Sequence, residues 1–191
     1  MVKKILMGLS LIAMMAGSAT AQHVNLGVKV GLNFYKNVNS NDVKTDFRTG
    51  FNLGLLGHIH INDVWALQPE VYYSTQGYKA NTTKVRTGYV NIPILLQYMF
   101  NNGFRIQAGP QLGIMTNATL DAAGVSSDYK GNYKALEAAL SVGISYVHPP
   151  SSFGVDLRYN HGLTNINESD ANKTYNRGIQ LGVFYLINHQ N

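Results

Sequence analysis

The alternation of side chains is clearest in Val24-Asn25-Leu26-Gly27-Val28-Lys29-Val30-Gly31-Leu32-Asn33-Phe34, where every second residue is apolar and the residues between are Asn, Gly or Lys. A period of two is that of an extended strand, because successive side chains point to opposite faces. The same period recurs along the rest of the chain. We therefore predict eight strands, at 24–35, 50–61, 64–78, 87–100, 104–117, 134–147, 153–165 and 174–187.

Connections of two lengths separate these strands. Short links follow the second, fourth and sixth strands, and longer links follow the first, third, fifth and seventh. The short links are 62–63, 101–103 and 148–152, and the longer ones are 36–48, 79–86, 118–133 and 166–173. Bacterial barrels keep short turns on the periplasmic side and long loops outside. An even strand number with this order predicts that both chain ends lie on the periplasmic side.

The composition favours a protein that crosses a membrane with strands. The 191 residues include 19 glycines, 12 tyrosines and no cysteine, and only 13% are charged. After residue 21 no apolar run approaches the roughly 18 residues of a transmembrane helix. Hydrocarbon cannot satisfy an open sheet edge, so spanning strands must close into a barrel. The predicted fold class is all-β, an eight-stranded antiparallel up-and-down transmembrane β-barrel.

Residues 1–21 are typical of a secretory signal peptide. Lys3 and Lys4 precede an apolar run over 5–17, and Ala19-Thr20-Ala21 offers the small residues of a cleavage site. The apolar run is too short for a membrane anchor. We expect cleavage before Gln22, export to the cell outer membrane, and a single barrel domain over 22–191.

The direction of the apolar face separates two classes of barrel. A soluble ligand-binding barrel points its apolar side chains inward, whereas a membrane barrel points them outward. Aromatic residues near the strand ends predict the two girdles of a membrane barrel. One girdle lies near the short links (Trp65, Tyr98, Phe100, Phe104, Tyr146, Phe153 and Tyr185), and the other lies near the long links (Phe34, Phe51, Tyr73, Tyr159 and Tyr175). A soluble periplasmic barrel is the third alternative for this chain.

Six charged residues fall on the polar face. Three are basic and three acidic: Lys29, Arg105, Arg158, Glu70, Glu137 and Asp156. An eight-stranded barrel is only wide enough for side chains, and buried charges must be paired. We predict a lumen plugged by polar and ion-pair contacts, with Arg105 and Glu137 as a pair between neighbouring strands. The alternative is a narrow porin-like channel for small solutes.

No residue pattern indicates catalysis, a cofactor or a metal site. His161 and Thr164 would point to opposite faces of one strand, and a catalytic site needs a nucleophile and a base within reach. His58 and His60 have a spacing that can ligate metal, but a third ligand is not evident. We therefore expect no enzyme activity, and hydrogen bonding in the lumen for the two histidines.

The expected partners are those of the envelope. Lys79, Lys84 and Arg86 make the predicted third-to-fourth loop basic, and a basic loop can contact anionic groups of lipopolysaccharide. Outer-membrane lipid and other envelope proteins are further expected partners, and the barrel is expected to be a monomer. Without the two signal-peptide lysines the net charge is weakly positive, and no basic run appears, so no nucleic-acid partner is expected.

Several short motifs occur in the order of a known family. They are Gly31-Leu32-Asn33, Leu67-Gln68-Pro69-Glu70-Val71-Tyr72-Tyr73-Ser74-Thr75-Gln76-Gly77, Tyr89-Val90-Asn91-Ile92-Pro93, Ala108-Gly109-Pro110 and Asp156-Leu157-Arg158-Tyr159-Asn160-His161-Gly162-Leu163. With these motifs the chain resembles the PorT-like bacterial outer-membrane β-barrel family of porin family proteins. The resemblance implies a non-enzymatic role in envelope structure, surface interaction or secretion.

Prolines inside three predicted strands conflict with a closed ladder. Pro69, Pro93 and Pro110 each remove a backbone donor. Because the family-like motifs contain these prolines, we keep the strands and expect local bulges there. The chain ends in Asn188-His189-Gln190-Asn191, whereas many bacterial barrels end in an aromatic residue.

Overall fold

The fold is a sheet of nine antiparallel strands. The computed structural model describes residues 24–40, 45–80, 82–170 and 172–187. The strands are β1 (Val24–Asn39), β2 (Asp46–His60), β3 (Trp65–Ala80), β4 (Thr83–Met99), β5 (Phe104–Ala122), β6 (Val125–Asp128), β7 (Leu136–Val147), β8 (Phe153–Gly162) and β9 (Thr174–Ile187). Eight of them confirm the predicted eight strands, and the four-residue β6 is additional. The predicted signal peptide lies outside the described residues.

Eight strands close into a ring. Their order is β4-β3-β2-β1-β9-β8-β7-β5, and β5 also pairs with β4, so every strand of the ring has two neighbours. The register can be followed once around, through Val24, Ile59, Leu67, Leu96, Ala108, Val142, Tyr159, Ile179 and Phe34. The path returns to β1 at residue 34 after leaving it at residue 24. This stagger of ten residues gives strands tilted by about 40°.

Apolar side chains cover the outside of the ring, and polar side chains fill the inside. Leu53 is 59% exposed and Ile94 is 41% exposed, whereas Asn52 and Gln97 are fully buried. Because alternate residues point to opposite faces, one register sorts every strand in this way. The outward apolar face confirms the prediction of a membrane barrel. It contradicts the alternative of a soluble barrel, whose apolar side chains would point inward. None of the described helical segments is long and apolar enough to cross a bilayer.

Aromatic rings are grouped near the ends of the outer face. Around the short-turn end, the end of the links 61–64, 100–103 and 148–152, Trp65, Tyr98, Phe100 and Phe104 form successive ring contacts at 5.1, 5.0 and 5.7 Å. Toward the other end, which we call the loop end, Phe51 and Tyr73 are in contact at 6.2 Å. Tyr175 lies further out, since it pairs with Val38 whereas Ile179 pairs with Phe34.

Strands run further toward the loop end than the sequence predicted. The predicted loop 79–86 is wrong, because Lys79 pairs with Lys84 and Ala80 with Thr83 across a tight turn. In the predicted loop 118–133, β6 folds back on the end of β5. The turn between them uses Ala123 and Gly124, whose φ angles of 49° and 80° give the backbone that a two-residue hairpin needs.

The strand prolines are accommodated without bulges. The register has no shift at Pro69, Pro93 or Pro110, so the expectation of bulges there is wrong. A proline removes one donor, whereas an inserted residue would turn the following side chains to the opposite face. The shifts lie nearer the loop end, between Phe47 and Asn52 and beside Gly88 and Tyr89.

A cation on the outer face tests the membrane-facing assignment. Leu181 lies in the middle of β9, outward and half exposed. We expect Leu181→Arg to lower the free energy of unfolding in lipid vesicles by about 2–4 kcal/mol, since a charge at the bilayer midplane is costly. Urea titration of folding in vesicles measures the change. Leu163→Arg, at the loop end, is the control with an expected cost under about 1 kcal/mol. Equal costs at both positions would contradict the assignment.

Candidate functional site in the barrel lumen

The lumen is filled in three layers. Near the short-turn end, Leu56, Val147, Phe184 and Leu186 form an apolar cluster that is almost completely buried. Charged side chains occupy the middle. Toward the loop end the lumen holds buried tyrosines and asparagines, among them Tyr35, Tyr89 and Asn160. The sequence predicted the polar filling but not the apolar layer.

Four charged residues in the middle layer form the lumen ion cluster: Lys29, Glu70, Asp156 and Arg158. The Arg158 guanidinium donates two hydrogen bonds to the Glu70 carboxylate, at 2.9 and 2.8 Å. Lys29 Nζ donates to Asp156 at 2.9 Å and lies 3.7 Å from Glu70. These side chains are at most 2% exposed. Two positive and two negative charges make the cluster neutral.

The cluster connects opposite walls of the barrel. Arg158 is on β8 and Glu70 on β3, which are four places apart in a ring of eight. Their bidentate contact therefore crosses the lumen. Lys29, on β1, lies between these two walls. A bidentate pair of this kind fixes geometry as well as charge.

Amide side chains extend the cluster sideways. Gln68 donates to Glu70 at 2.6 Å, and Gln97 donates to both Gln68 and Gln107, at 2.9 and 2.8 Å. On the other side the Tyr72 hydroxyl donates to Gln111 at 2.8 Å. Hydrogen bonds of this kind offset the cost of removing polar groups from water.

Glycines on the inner face provide the space for these bulky groups. A Cβ atom at Gly182 would meet the Asp156 carboxylate and the Lys29 side chain, and one at Gly154 would meet the Phe184 ring. Absence of a side chain on one strand thus lets a large side chain from another lie against it.

The predicted pair of Arg105 and Glu137 is wrong. Arg105 pairs in register with Ser145, and Glu137 pairs with Gly113, so the two lie at different heights. Arg105 instead lies 3.5 Å from His58, and Glu137 accepts a hydrogen bond from Asn176 at 2.9 Å. The other four predicted lumen charges do meet, but across the barrel instead of between neighbours.

The predicted loop basic patch lies on strands. Lys79 is on β3 and Lys84 and Arg86 are on β4, all exposed on the outer side. Arg86 forms an ion pair with Asp121 at 2.8 Å. The sequence pattern predicted that Asp121 belongs to a different loop, 118–133. Lys79 and Lys84 form no direct ion pair among the described residues, although they lie in register with the acids Asp46 and Asp121.

Three of the described histidines are candidate site residues in the sequence, and each contacts a neighbouring aromatic or polar group. His58 and His60 rings pack edge to face at 4.5 Å, and the structure brings no group of three potential metal ligands together in its described part. His161 lies beside the Tyr159 ring, whereas the Thr164 hydroxyl accepts a hydrogen bond from the Ala138 amide.

A cavity of about 200 Å³ opens at the loop end. Three tyrosines, four asparagines and a threonine line it. Its wall between β5 and β7 includes Tyr129 and Tyr133, whose rings are in contact at 5.7 Å. No local pattern in the sequence predicts this cavity, because residues 129–133 and 167 are distant along the chain and come together through the bridge between Tyr133 and Asn167.

An exposed ion pair holds the outside of this loop region. Lys134 donates to Asp170 at 2.9 Å, and Asn165 donates to the same carboxylate at 3.0 Å. These hydrogen bonds lower the pKa of Asp170. A carboxylate with a lowered pKa stabilises the folded form above its unfolded pKa, and the contribution is lost as the pH falls through the folded pKa.

Comparison with known proteins agrees with this architecture. The sequence profile of a family described as outer membrane protein beta-barrel domain matches residues 19–168. Neisserial surface protein A is similar in structure, with a TM-score of 0.62 and 18% identity over 85% of this chain and 98% of that one. Ail, the attachment invasion locus protein of Yersinia pestis, is similar with a TM-score of 0.56 and 17% identity over 85% and 98%. No curated protein is significantly similar in sequence.

Removing one charge from the lumen ion cluster tests its role. We expect Glu70→Gln to lower the free energy of unfolding by about 3–5 kcal/mol, since Arg158 loses its bidentate partner, keeps only Asp156 at 3.5 Å, and the buried cluster gains a net positive charge. Glu70→Met with Arg158→Met should restore most of this loss, because the Lys29–Asp156 pair stays neutral. Urea unfolding in vesicles measures both, and Glu168→Gln on the exposed loop is the control. A Glu70→Gln protein as stable as the control would refute the role.

Proposed function

Since the chain belongs to the outer membrane protein β-barrel domain family, we propose that it is a non-enzymatic barrel with a closed lumen that serves the envelope by surface interaction at its loop end. The family places the protein in the outer membrane. The observation that carries the proposal is the lumen ion cluster, whose bidentate Arg158–Glu70 contact crosses the barrel with both side chains fully buried.

A solute would have to displace at least two of the three lumen layers to pass. The ion cluster and its amides occupy the middle, and the apolar cluster around Phe184 and Leu186 lies between them and the short-turn end. Opening the layer that contains the lumen ion cluster separates buried opposite charges, which costs several kcal/mol. The narrow porin-like channel is therefore the second candidate, supported only by the polar character of the lumen.

The loop end carries the features suited to recognition. Barrels of this class direct their longer connections outside the cell, and recognition residues concentrate on such connections because a rigid scaffold positions them. In this orientation both described ends, Val24 and Ile187, face the periplasm. Export itself depends on the signal peptide predicted over 1–21. Membership of the narrower PorT-like group stays a prediction from the motifs, as does a role in secretion.

Conductance separates the two candidates. We expect purified protein in a planar bilayer to give no large, steady conductance, because the lumen ion cluster and the apolar cluster both fill the lumen. Folding is checked by heat-modifiability on a gel, and a porin in the same bilayer is the positive control. Large, steady currents from folded protein would contradict the closed lumen.

We also propose that the loop end contacts anionic groups of lipopolysaccharide through Lys79 and Lys84. Both are exposed on the outer side of the β3–β4 hairpin, and they lie opposite each other in register. An exposed lysine close to an anionic membrane surface contributes about 1 kcal/mol of attraction. Arg86 contributes less, since it forms a direct ion pair with Asp121 at 2.8 Å, whereas Lys84 lies opposite that acid in register without such a pair.

Charge removal tests this contact. We expect Lys79→Gln with Lys84→Gln to weaken binding to lipopolysaccharide vesicles by about 2 kcal/mol, or roughly thirtyfold. Adding Arg86→Gln should change it little further. Lys134→Gln is the matched control, because Asp170 already neutralises that lysine. Binding that the double variant leaves unchanged would reject the contact.

A further inference from the structure

We propose that the cavity at the loop end, which we call the mouth cavity, binds one neutral sugar ring, such as a hexose or an N-acetylhexosamine. This inference deepens the proposed function, since it names a ligand class for the same end of the barrel. The ring can be a free sugar or the end residue of a glycan, because both present the same hydroxyl groups.

The lining has the chemistry that a neutral sugar needs. None of its side chains is charged, and all of them can form hydrogen bonds. Each asparagine amide offers donors and an acceptor, so it can match a hydroxyl group that both donates and accepts. Tyr129 and Tyr133 contribute hydroxyl groups to the lining, and these can donate to and accept from a sugar hydroxyl. A charged ligand would meet no counter-ion in this lining.

Asn37 marks the floor of the mouth cavity. It lies on the inner face of β1, is only 5% exposed and lines the cavity. Its Oδ1 atom has no hydrogen-bond partner among the residues that the structure describes. A buried amide oxygen without a partner costs free energy, and a sugar hydroxyl donating to it would remove that cost. Asn132, at the other side, is exposed and forms part of the rim.

The wall of the mouth cavity is held in place before any ligand arrives. The Glu168 amide donates to the Asn132 carbonyl at 3.0 Å, and the Lys134 amide donates to the Ile166 carbonyl at 2.8 Å. Tyr129 and Tyr133 pack against the buried cluster of Tyr89, Met115 and Ala118. Ordered walls reduce the entropy lost on binding.

The size of the mouth cavity limits what it can hold. Its volume of about 200 Å³ is below the roughly 300–1,000 Å³ of pockets for drug-sized ligands. One sugar ring is the appropriate scale, whereas a disaccharide would extend past the rim. The cavity therefore recognises an end residue, with the rest of a glycan outside.

The test is titration of the full barrel in lipid nanodiscs with methyl glycosides of glucose, galactose, mannose and N-acetylglucosamine, followed by NMR of backbone amides. We expect at least one of these to bind saturably, with shifts centred on Asn37 and residues 129–133, and glucuronic acid to bind at least tenfold more weakly. Asn37→Ala and Tyr129→Ala should each weaken binding at least tenfold. Asn101→Ala, in a turn at the other end, is the matched control and should change nothing.

Several results would overturn the inference. They are no saturable binding of any neutral glycoside, equal binding of glucuronic acid, or binding that neither cavity variant weakens.

Heat-modifiability verifies folding, and if Asn37→Ala does not fold, Tyr129→Ala at the loop decides. Conductance of the same preparation is recorded separately. A barrel that neither conducts nor binds sugar contradicts this inference alone. A barrel that conducts contradicts the proposed function. Tighter binding of an oligosaccharide than of its end glycoside indicates a glycan source, and loss of binding on extension indicates a free sugar; both support the neutral ring.

Discussion

A strand that crosses hydrocarbon must find hydrogen-bond partners along both of its edges, because no water is present to take their place. In this chain the requirement is met by eight strands in a ring, with β5 closing onto β4. The number of strands and the ten-residue stagger together determine the width of the lumen. That width admits side chains and little else, so the identity of the inward residues decides whether the barrel is closed.

Closure of the lumen depends on charges that neutralise one another across the barrel. Burying two acids and two bases costs free energy that their attraction offsets only with good geometry. The bidentate contact of Arg158 with Glu70, and the hydrogen bonds from Gln68, provide that geometry. The cluster also opposes a register slip, since a shift by one residue would turn Lys29 and Asp156 toward lipid.

The sequence predicted what depends on the period of two and missed what depends on distance around the ring. Alternation alone assigned Leu53 to the outside and Lys29 to the inside. Partners such as Arg158 and Glu70, on strands four places apart, follow from the stagger, which no local pattern contains. Arg105 and Glu137 are on adjacent strands, yet their register keeps them apart. The hairpin over 79–86 has the composition of a loop, because its charged residues outweigh the strand-forming Thr83 and Val85. The mouth cavity forms only where two loops that are distant in the sequence meet.

The sorting of leucines between lipid and lumen is the most direct measure of this architecture. In nanodiscs with protonated acyl chains, NOE cross-peaks from those chains to leucine methyl groups need no substitution in the protein. We expect cross-peaks to the outward Leu53, Leu140 and Leu181 and none to the inward Leu56, Leu95 and Leu186. Cross-peaks to the second group in place of the first would contradict the account.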